Sequence, residues 1–439
     1  MQTRLKSGIT KKKAFHTHTP DYLDTKPPSF TVASSLSPWV QAMEDEFSTL
    51  HHQQTWTLWP LRQLDISNAF LHGFLKEDMH MSQPQGFTDP SKPGYVCKLH
   101  KSLYGLKQAP RAWFERFTTH MLSLGFTAST ADPSLFVFHS KNAILYLLFY
   151  VDDIIITETS PTLITDLIST LQNTFELKDL RPLHYFLGLQ LQYHNSGFTV
   201  HQTKYATDLL SRFNMTSCKP SSTPFTSTSR LTPTQDLSFA VNQVCQFMHN
   251  PTDVHLMAAK RILRYLRSTL HRGLLFHPSS LQLQAYADTD WAGDPVDRRS
   301  ISSYVVFLGS TPITWVSKKQ WTISRSSMKA EYRSLTSAIA ELYWIRMVLR
   351  DLGIFLSNTL VLWCDNLSAL ALASNPVFHA RTKHIEVDYH FVREKVVRRD
   401  VDVKFISTSD QLAEILTNSL PSPGFTRLHD KLLLSFQPP

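Results

Sequence analysis

The alternation of apolar and polar positions divides the chain into two structured halves. In the first, LRQLDI is strand-like, Pro110 stands at a helix N1 position, and Trp113, Phe117, Met121 and Leu124 then recur at helical spacing, which predicts a long apolar helix. FVFH and ILYLLFY, separated by SKN, and then VDD and III predict successive antiparallel strands joined by tight turns. Asp152 and Asp153 fall at the hairpin tip. FLGLQLQYH, the turn NSG and FTVH predict a further hairpin before a helix from Gln202 to Phe213. The first half therefore reads as α+β.

Residues 216–235, TSCKPSSTPFTSTSRLTPTQ, are dominated by Ser, Thr and Pro, so this stretch buries no face and reads as a linker. Beyond it a helix is expected around residues 253–270, with Leu256, Ala259, Leu263, Leu266 and Leu270 as its apolar stripe and Lys260, Arg264 and Arg267 as a basic one. From Leu281 the order is strand (LQAYAD), strand (SYVVFLG), strand (PITWVS), helix, strand (LVLWCD), helix, strand (VDVKFIS), helix. This is a three-stranded meander followed by alternating α and β. Leu335, Ala338, Leu342, Ile345, Leu349 and Leu352, alternating three and four apart, support the long helix.

Composition narrows the classes. With 439 residues, 42% hydrophobic and 18% charged, the chain has the apolar content for buried cores, and global disorder is excluded. The central apolar run Ala143 to Val151 is far shorter than the about 18 residues needed to span a bilayer. No apolar segment follows the basic N-terminal stretch, so an intracellular protein, cytoplasmic or nuclear, is expected. Four dispersed cysteines without CxxC spacing argue against a disulfide framework or a structural zinc site. A net charge of +8 modestly favours a polyanionic partner. With no GxxxxGK[ST] and no GxGxxG, phosphate chemistry would have to rest on carboxylates and metal.

Asp152 and Asp153 interrupt YLLFYVDDIIIT, where an acidic pair among apolar strands is costly unless its charge is compensated. The local pattern fits either a solvated Asp-Asp turn or a metal-holding pair. Asp65, ending another apolar strand, favours the second, because three carboxylates suit two Mg²⁺ ions in an in-line displacement at phosphorus.

QLDISNAFLHG, KSLYGLKQAPRAW, YVDDIIIT and FLGLQL with HQTKYATDLL together resemble a copia-type retrotransposon reverse transcriptase of the plant kind. YADTDWAGDPVDRRS, SKKQWTISRSSMKAEYRS, WCDN and NPVFHARTKHIEVDYHFVRE are similar to the ribonuclease H domain of the same polyproteins. The resemblance covers nearly the whole chain. It implies an α+β reverse transcriptase palm, with fingers and thumb truncated, followed by an α/β ribonuclease H-like domain. By it Asp65, Asp152 and Asp153 are polymerase metal ligands. Phe70 matches the aromatic position that abuts the sugar and excludes ribonucleotides, and Gln108 a residue that helps hold the incoming nucleotide; core packing is the alternative for Phe70. Asp288, Glu331 and Asp365 are the implied nuclease metal ligands, and their places at two strand ends and a helix start agree independently. The fourth acid is Glu414, in QLAEILTN, where the family has Asp, with Asn418 in place of Lys. The longer side chain implies weaker activity. His384 suits either proton transfer or a structural role. Arg393, Lys395, Arg398 and Arg399 suit either a hybrid backbone or a solvated helix face.

The resemblance also implies several tens of residues between TWTL and LRQLD, including basic residues that fold over the triphosphate, and a helical thumb segment after LTPTQ. Both are missing, so impaired polymerisation is expected. The implied division is 1–59 an upstream remnant, 60–215 the palm, 216–235 the linker, 236–275 truncated thumb helices, 276–420 the ribonuclease H-like domain and 421–439 a tail. The implied cofactor is Mg²⁺, two ions per active site, with Mn²⁺ as an alternative. The implied partners are RNA template, DNA primer, RNA–DNA hybrid and deoxynucleoside triphosphates, without a membrane. A catalytically inactive nucleic-acid-binding remnant is the alternative function. Lys11 to Lys13 read as a solvated charge run or a nuclear signal.

Overall fold

The computed structural model describes residues 61–140, 143–158, 161–195, 197–221, 223–224, 237–294, 296–356, 358–374, 386–418, 420, 424, 427–428 and 431–432. The upstream segment 1–59 with Lys11 to Lys13, most of the linker, His384 and nearly all of the tail lie outside these residues.

The first half is organised by one antiparallel sheet. Its strands are β1 (Arg62–Ile66), β4 (Thr127–Ala128), β5 (Leu135–His139), β6 (Ile144–Tyr150), β7 (Asp153–Glu158) and β8 (Leu177–Pro182), in the order β4-β5-β6-β7-β1-β8. Helices α1 (Ala109–Ser123) and α2 (Pro161–Gln172) belong to the same core. The helical spacing read from the sequence holds, since Trp113, Phe117 and Met121 are all buried against Leu64, Phe149 and Ile154. Burying such large side chains contributes about 2–3 kcal/mol each, which fixes α1 against the strands that carry the three aspartates. A two-stranded sheet, β2 (Phe74–Ser82) with β3 (Val96–Lys101), stands apart. A second sheet, in the order β12-β11-β10-β9, joins β9 (Tyr185–Phe186), β10 (Leu189–His194) and β11 (Gly197–His201) to β12 (Leu274–Phe276) from beyond the linker. Helix α3 (Thr203–Arg212) follows β11 as expected.

Two expectations for the middle of the chain are corrected. Helix α5 (Asp253–Ser268), reached through α4 (Leu237–Cys245), buries Ile262 and Tyr265, whereas Leu256 is 53% exposed. Its inward row is set by α4, because Ile262 packs on Ala240, Leu237 and Ala258; apolar spacing alone left two phases open. The start of the linker is also held down. Ser221 N donates to Arg264 O at 3.2 Å, Ser268 Oγ to Ser221 O at 2.8 Å and Arg261 Nη2 to Thr223 Oγ1 at 2.8 Å.

The second half shows the meander-then-alternation pattern. Strands β13 (Leu283–Asp290), β14 (Ile301–Leu308) and β15 (Thr311–Lys319) are antiparallel, while β16 (Leu360–Cys364) and β17 (Val401–Phe405) run parallel to β13, giving the order β15-β14-β13-β16-β17. Helix α6 (Ser327–Asp351) crosses the sheet, burying Leu335, Ala338, Leu342, Ile345 and Leu349, and α7 (Leu367–Ser374) and α8 (Glu386–Val397) complete the layer. The segment after β17 first forms two short 3-10 turns, Thr408–Asp410 and Leu412–Leu416, and the described residues beyond them, 424, 427–428 and 431–432, are helical as expected. The basic run at the end of α8 and just past it does not form one open face: Lys395 is 16% exposed and folds over Tyr343, and Arg398 pairs with Glu394 at 2.9 Å.

Direct bonds tie the two halves together. Asp351, the last residue of α6, accepts at Oδ2 from Ser129 Oγ (2.8 Å), Thr130 N (2.8 Å), Thr130 Oγ1 (3.0 Å) and Ala131 N (3.2 Å). Trp344 Nε1 donates to Ala131 O at 3.0 Å and Tyr146 Oη to Leu352 O at 2.7 Å. An acid at a helix C-terminus opposes the helix dipole, and the four donors offset that cost. Asp351→Ala leaves those donors without their acceptor and is expected to lower the free energy of urea unfolding by about 2 kcal/mol, with Asp351→Asn intermediate. An unchanged midpoint would show that the contact contributes no stability.

Candidate active sites

The first constellation is built by strand register. On antiparallel β1 and β7, Asp65 stands directly across from Asp153, and Tyr150 pairs with Asp153 across the hairpin that carries Val151 and Asp152. The tip is therefore Val151–Asp152, with Asp153 already the first residue of β7. Val151 has φ 56°, a region that β-branched residues rarely enter. Two bonds hold this backbone: Trp113 Nε1 donates to Val151 O at 2.6 Å, and Ile66 N to Asp152 O at 2.8 Å. The buried indole of α1 thus pins the aspartate turn.

Burial raises the Asp153 carboxyl above its usual range, and Asp152 and Asp65 add to the rise, opposed by Gln63 Nε2, which donates to Asp153 Oδ1 at 2.9 Å. Asp152 is exposed. The three aspartates are brought to one place, although among the described residues their donor atoms are not as close together as those of Glu331, Cys364 and Asp365 in the second half. Phe70 is half-buried, its ring 5.2 Å from that of Tyr104, on the 3-10 turn Ala69–His72. Gln108 caps α1 and its amide contacts the Met79 sulfur of β2.

The second constellation draws acids from four elements. Asp288 lies near the end of β13, Glu331 in the first turns of α6, Asp365 directly after β16 and Glu414 in the second 3-10 turn. Donor atoms of Glu331, Cys364 and Asp365 lie within 4.8 Å of one another. Burial raises Glu331 well above the usual carboxylate range, and the nearby Asp288 and Asp365 raise it further. Burial likewise lifts Asp288 to about 6 and Glu414 to about 7, and Asp365 adds to both. These mutual effects place all four carboxyls in one electrostatic neighbourhood. Two of the acids are also positioned by hydroxyls: Thr417 Oγ1 donates to Asp288 Oδ2 and Thr408 Oγ1 to Asp365 Oδ2 at 2.8 Å, while Ser334 Oγ donates to the backbone O of Asp288 at 3.0 Å.

Several participants escaped the sequence reading. Asp290, two residues after Asp288, is raised by burial to about 8 and accepts from Ile301 N. Gly293 is required beside it, since a Cβ there would collide with the Asp290 carboxylate. The alternation in YADTD put both acids on one face and was the available signal. Gln63, Trp113 and Thr417 act through contacts distant in sequence, so local pattern could not reveal them.

The donor set fits divalent cations. Buried carboxyls at this spacing repel one another, they are hard oxygen ligands, and the few donors around them do not cancel their charge.

A family described as "Reverse transcriptase (RNA-dependent DNA polymerase)" matches residues 48–227. The "Retrovirus-related Pol polyprotein from transposon RE1" of Arabidopsis thaliana is 45% identical over 407 residues, covering 87% of this chain and 28% of that protein. The corresponding polyprotein from transposon TNT 1-94 of Nicotiana tabacum is 37% identical, over 83% of this chain and 30% of its own length. Among solved structures, the N-terminal ribonuclease H domain of a Mycobacterium tuberculosis protein aligns with 34% of this chain and 98% of its own, at 15% identity and a TM-score of 0.24, a likeness too low to carry an argument. The first half thus belongs to the reverse transcriptase class. More particularly, the chain belongs to the copia-type retrotransposon Pol polyproteins, and it spans between a quarter and a third of the length of these relatives.

The raised acids set a pH dependence. Asp288, Glu414 and Asp290 hold protons in the folded state up to about 6, 7 and 8, whereas free carboxyls release theirs near 4. The native state binds more protons over that window, so the contribution of these three acids to stability without divalent cations is fully present near pH 4 and is lost as pH rises toward 8. Urea midpoints at pH 5 and pH 8 in chelator are expected to show this fall, and Asp290→Asn to reduce it. A flat profile in the parent protein would contradict the assigned burial.

Proposed function

We propose that the chain carries a ribonuclease H centre that cleaves RNA paired to DNA, and beside it a reverse transcriptase centre of reduced capacity. The observation carrying the nuclease reading is the convergence of Asp288, Glu331, Asp365 and Glu414 from four separate elements. Asp288, Glu331 and Asp365 are the residues that would hold Mg²⁺ or Mn²⁺. When bound, such ions supply a water of lowered pKa and a clamp on the charge that develops at phosphorus. The protein's own part is to hold the carboxyls in place: Thr417 orients Asp288, Thr408 orients Asp365, and α6 presents Glu331 from a rigid core. Glu414, from its short 3-10 turn, takes the place of an Asp, and its extra methylene moves the carboxylate relative to the other three.

For the polymerase centre, Asp65, Asp152 and Asp153 are the corresponding ligands, on what this reading makes the palm. Phe70 would exclude a ribose 2′-hydroxyl, Gln108 would contact the incoming deoxynucleoside triphosphate, and the RNA template and DNA primer would lie across the aspartate turn. The shortened connection ahead of β1 removes basic residues that would neutralise the triphosphate, so nucleotide transfer loses electrostatic stabilisation. Residues 60–215, 236–275 and 276–420 then correspond to palm, shortened thumb and nuclease domain.

Purified protein is expected to cleave a labelled RNA–DNA hybrid in Mg²⁺. Asp288→Asn should lower the rate at least about 10³-fold, the scale of losing one preorganised charge partner, while hybrid binding by anisotropy stays within a few-fold. Equal cleavage by the variant would remove the nuclease assignment, and Glu414→Asp should raise the rate several-fold. Primer extension on an RNA template is expected to be at background. Robust extension abolished by Asp152→Asn would overturn the expected impairment.

A further inference from the structure

A cleft of about 490 Å³ lies on the second half, lined by Tyr304, Lys318, Trp321, Arg333, Ser337 and Asp388. Its outer wall is Trp321, whose side chain is 81% exposed with Lys318 Nζ 5.8 Å from the ring centroid. So large an exposed indole carries a sizeable desolvation benefit for whatever covers it.

The loop presenting Trp321 is held in place by bonds to the nuclease framework. Gln320 N donates to Ser300 O at 2.8 Å, and Gln320 Nε2 to Ala330 O, the residue before Glu331, at 2.9 Å. Ser324 Oγ donates to Gln320 Oε1 at 2.8 Å. Arg333 Nη1 reaches Thr322 O and Ser324 Oγ, each at 3.1 Å, and Trp291 Nε1 donates to Ser324 O at 3.0 Å. The loop is therefore fixed relative to Glu331, and Trp291, itself 54% exposed, stands on its other side.

We propose that this cleft is a subsite for single-stranded nucleic acid adjoining the nuclease centre, with one unpaired base stacked on Trp321 and the neighbouring backbone phosphate against Lys318. The proposal rests on the nuclease reading and extends it. Three features commit it to this ligand. The volume falls in the range of small-ligand clefts and suits a nucleotide unit. An aromatic face beside a cation is the arrangement that binds unpaired bases without regard to sequence. In a paired, stacked duplex the base faces are covered, so this surface favours a strand that continues beyond the hybrid.

The test uses the full chain in EDTA, so that no cleavage occurs, and reads fluorescence anisotropy. The probes are a short RNA–DNA hybrid, blunt or with a single-stranded DNA extension of about six nucleotides. The extension is expected to tighten binding by about fivefold or more, the scale of one stacked base. Trp321→Ala should remove that gain while leaving blunt-hybrid affinity unchanged, and Trp321→Phe should retain most of it. A melting curve identical to the parent checks that Trp321→Ala folds. No gain in the parent, a gain that survives Trp321→Ala, or an equal loss on the blunt hybrid each overturns the proposal. Loss of Asp288-dependent cleavage with the extension gain intact would overturn the nuclease reading alone.

Discussion

Mutual repulsion among carboxylates at the ends of buried strands is the constraint around which both halves are arranged. A carboxylate taken from water into an apolar surround loses hydration, and a second one nearby raises the cost again. In the second half Asp288 and Asp290 on β13, Asp365 beside β16 and Glu331 on α6 make four such acids, and the protein meets the cost with raised proton affinity at Asp288, Asp290 and Glu331 and with a few short-range donors: Thr417 on Asp288, Ile301 N on Asp290, Thr408 on Asp365. None of these donors is a cation. The residual negative potential is what makes the cluster receptive to divalent ions, and it leaves the apo fold less stable than its core alone would make it.

The first half answers the same constraint differently. Asp152 stays exposed and Asp65 and Asp153 share one cross-strand position, so less charge is desolvated and more of the work falls on backbone control. Val151 accepts a left-handed conformation because Trp113 bonds its carbonyl from within the core. A buried tryptophan is large and has few rotamers, so the turn inherits the rigidity of α1. The two centres therefore differ in kind. One depends on a strained turn held by an indole, the other on a cluster of buried acids between sheet and helix.

Much of this was legible along the chain. Strand ends carrying Asp65, Asp288 and Asp365, and the seam of α6 from Leu335 to Leu349, follow from period and from the anomaly of acids amid apolar runs. What local pattern could not supply was phase and partnership. On α5 several apolar rows were available; the neighbouring α4 selected Ile262, and Val305, Phe307 and Leu412 of the second half selected Tyr265. The pairing of β11 with β12 across the linker, the Trp113–Val151 bond and the docking of Asp351 all join residues tens to hundreds of positions apart. The 3-10 turns ahead of the last helical residues belong with these: Gln411 Nε2 donates to Ala287 O at 2.9 Å and Ala413 N to Gln411 Oε1 at 3.3 Å, which holds the turn carrying Glu414 against β13.

The contact between the halves has a mechanical consequence. Helix α6 carries Glu331 near its start and Asp351 at its end, so the element that presents Glu331 to the other acids also ends against the loop before β5 of the first sheet. The aspartate turn between β6 and β7 and the acids of β13 and α6 are linked through hydrogen-bonded sheet, the loop before β5 and helix α6. Tyr146, on β6 itself, bonds Leu352 directly behind Asp351, so the strand leading to the aspartate turn is anchored to the same helix end. A displacement of the second half would have to break that bond, the four donors on Asp351 and the β11–β12 ladder together. Because these contacts differ in chemistry and the β11–β12 ladder stands apart from the helix end, no single side-chain motion releases all three, and the separation of the two acidic clusters is set by the fold rather than by the length of the linker.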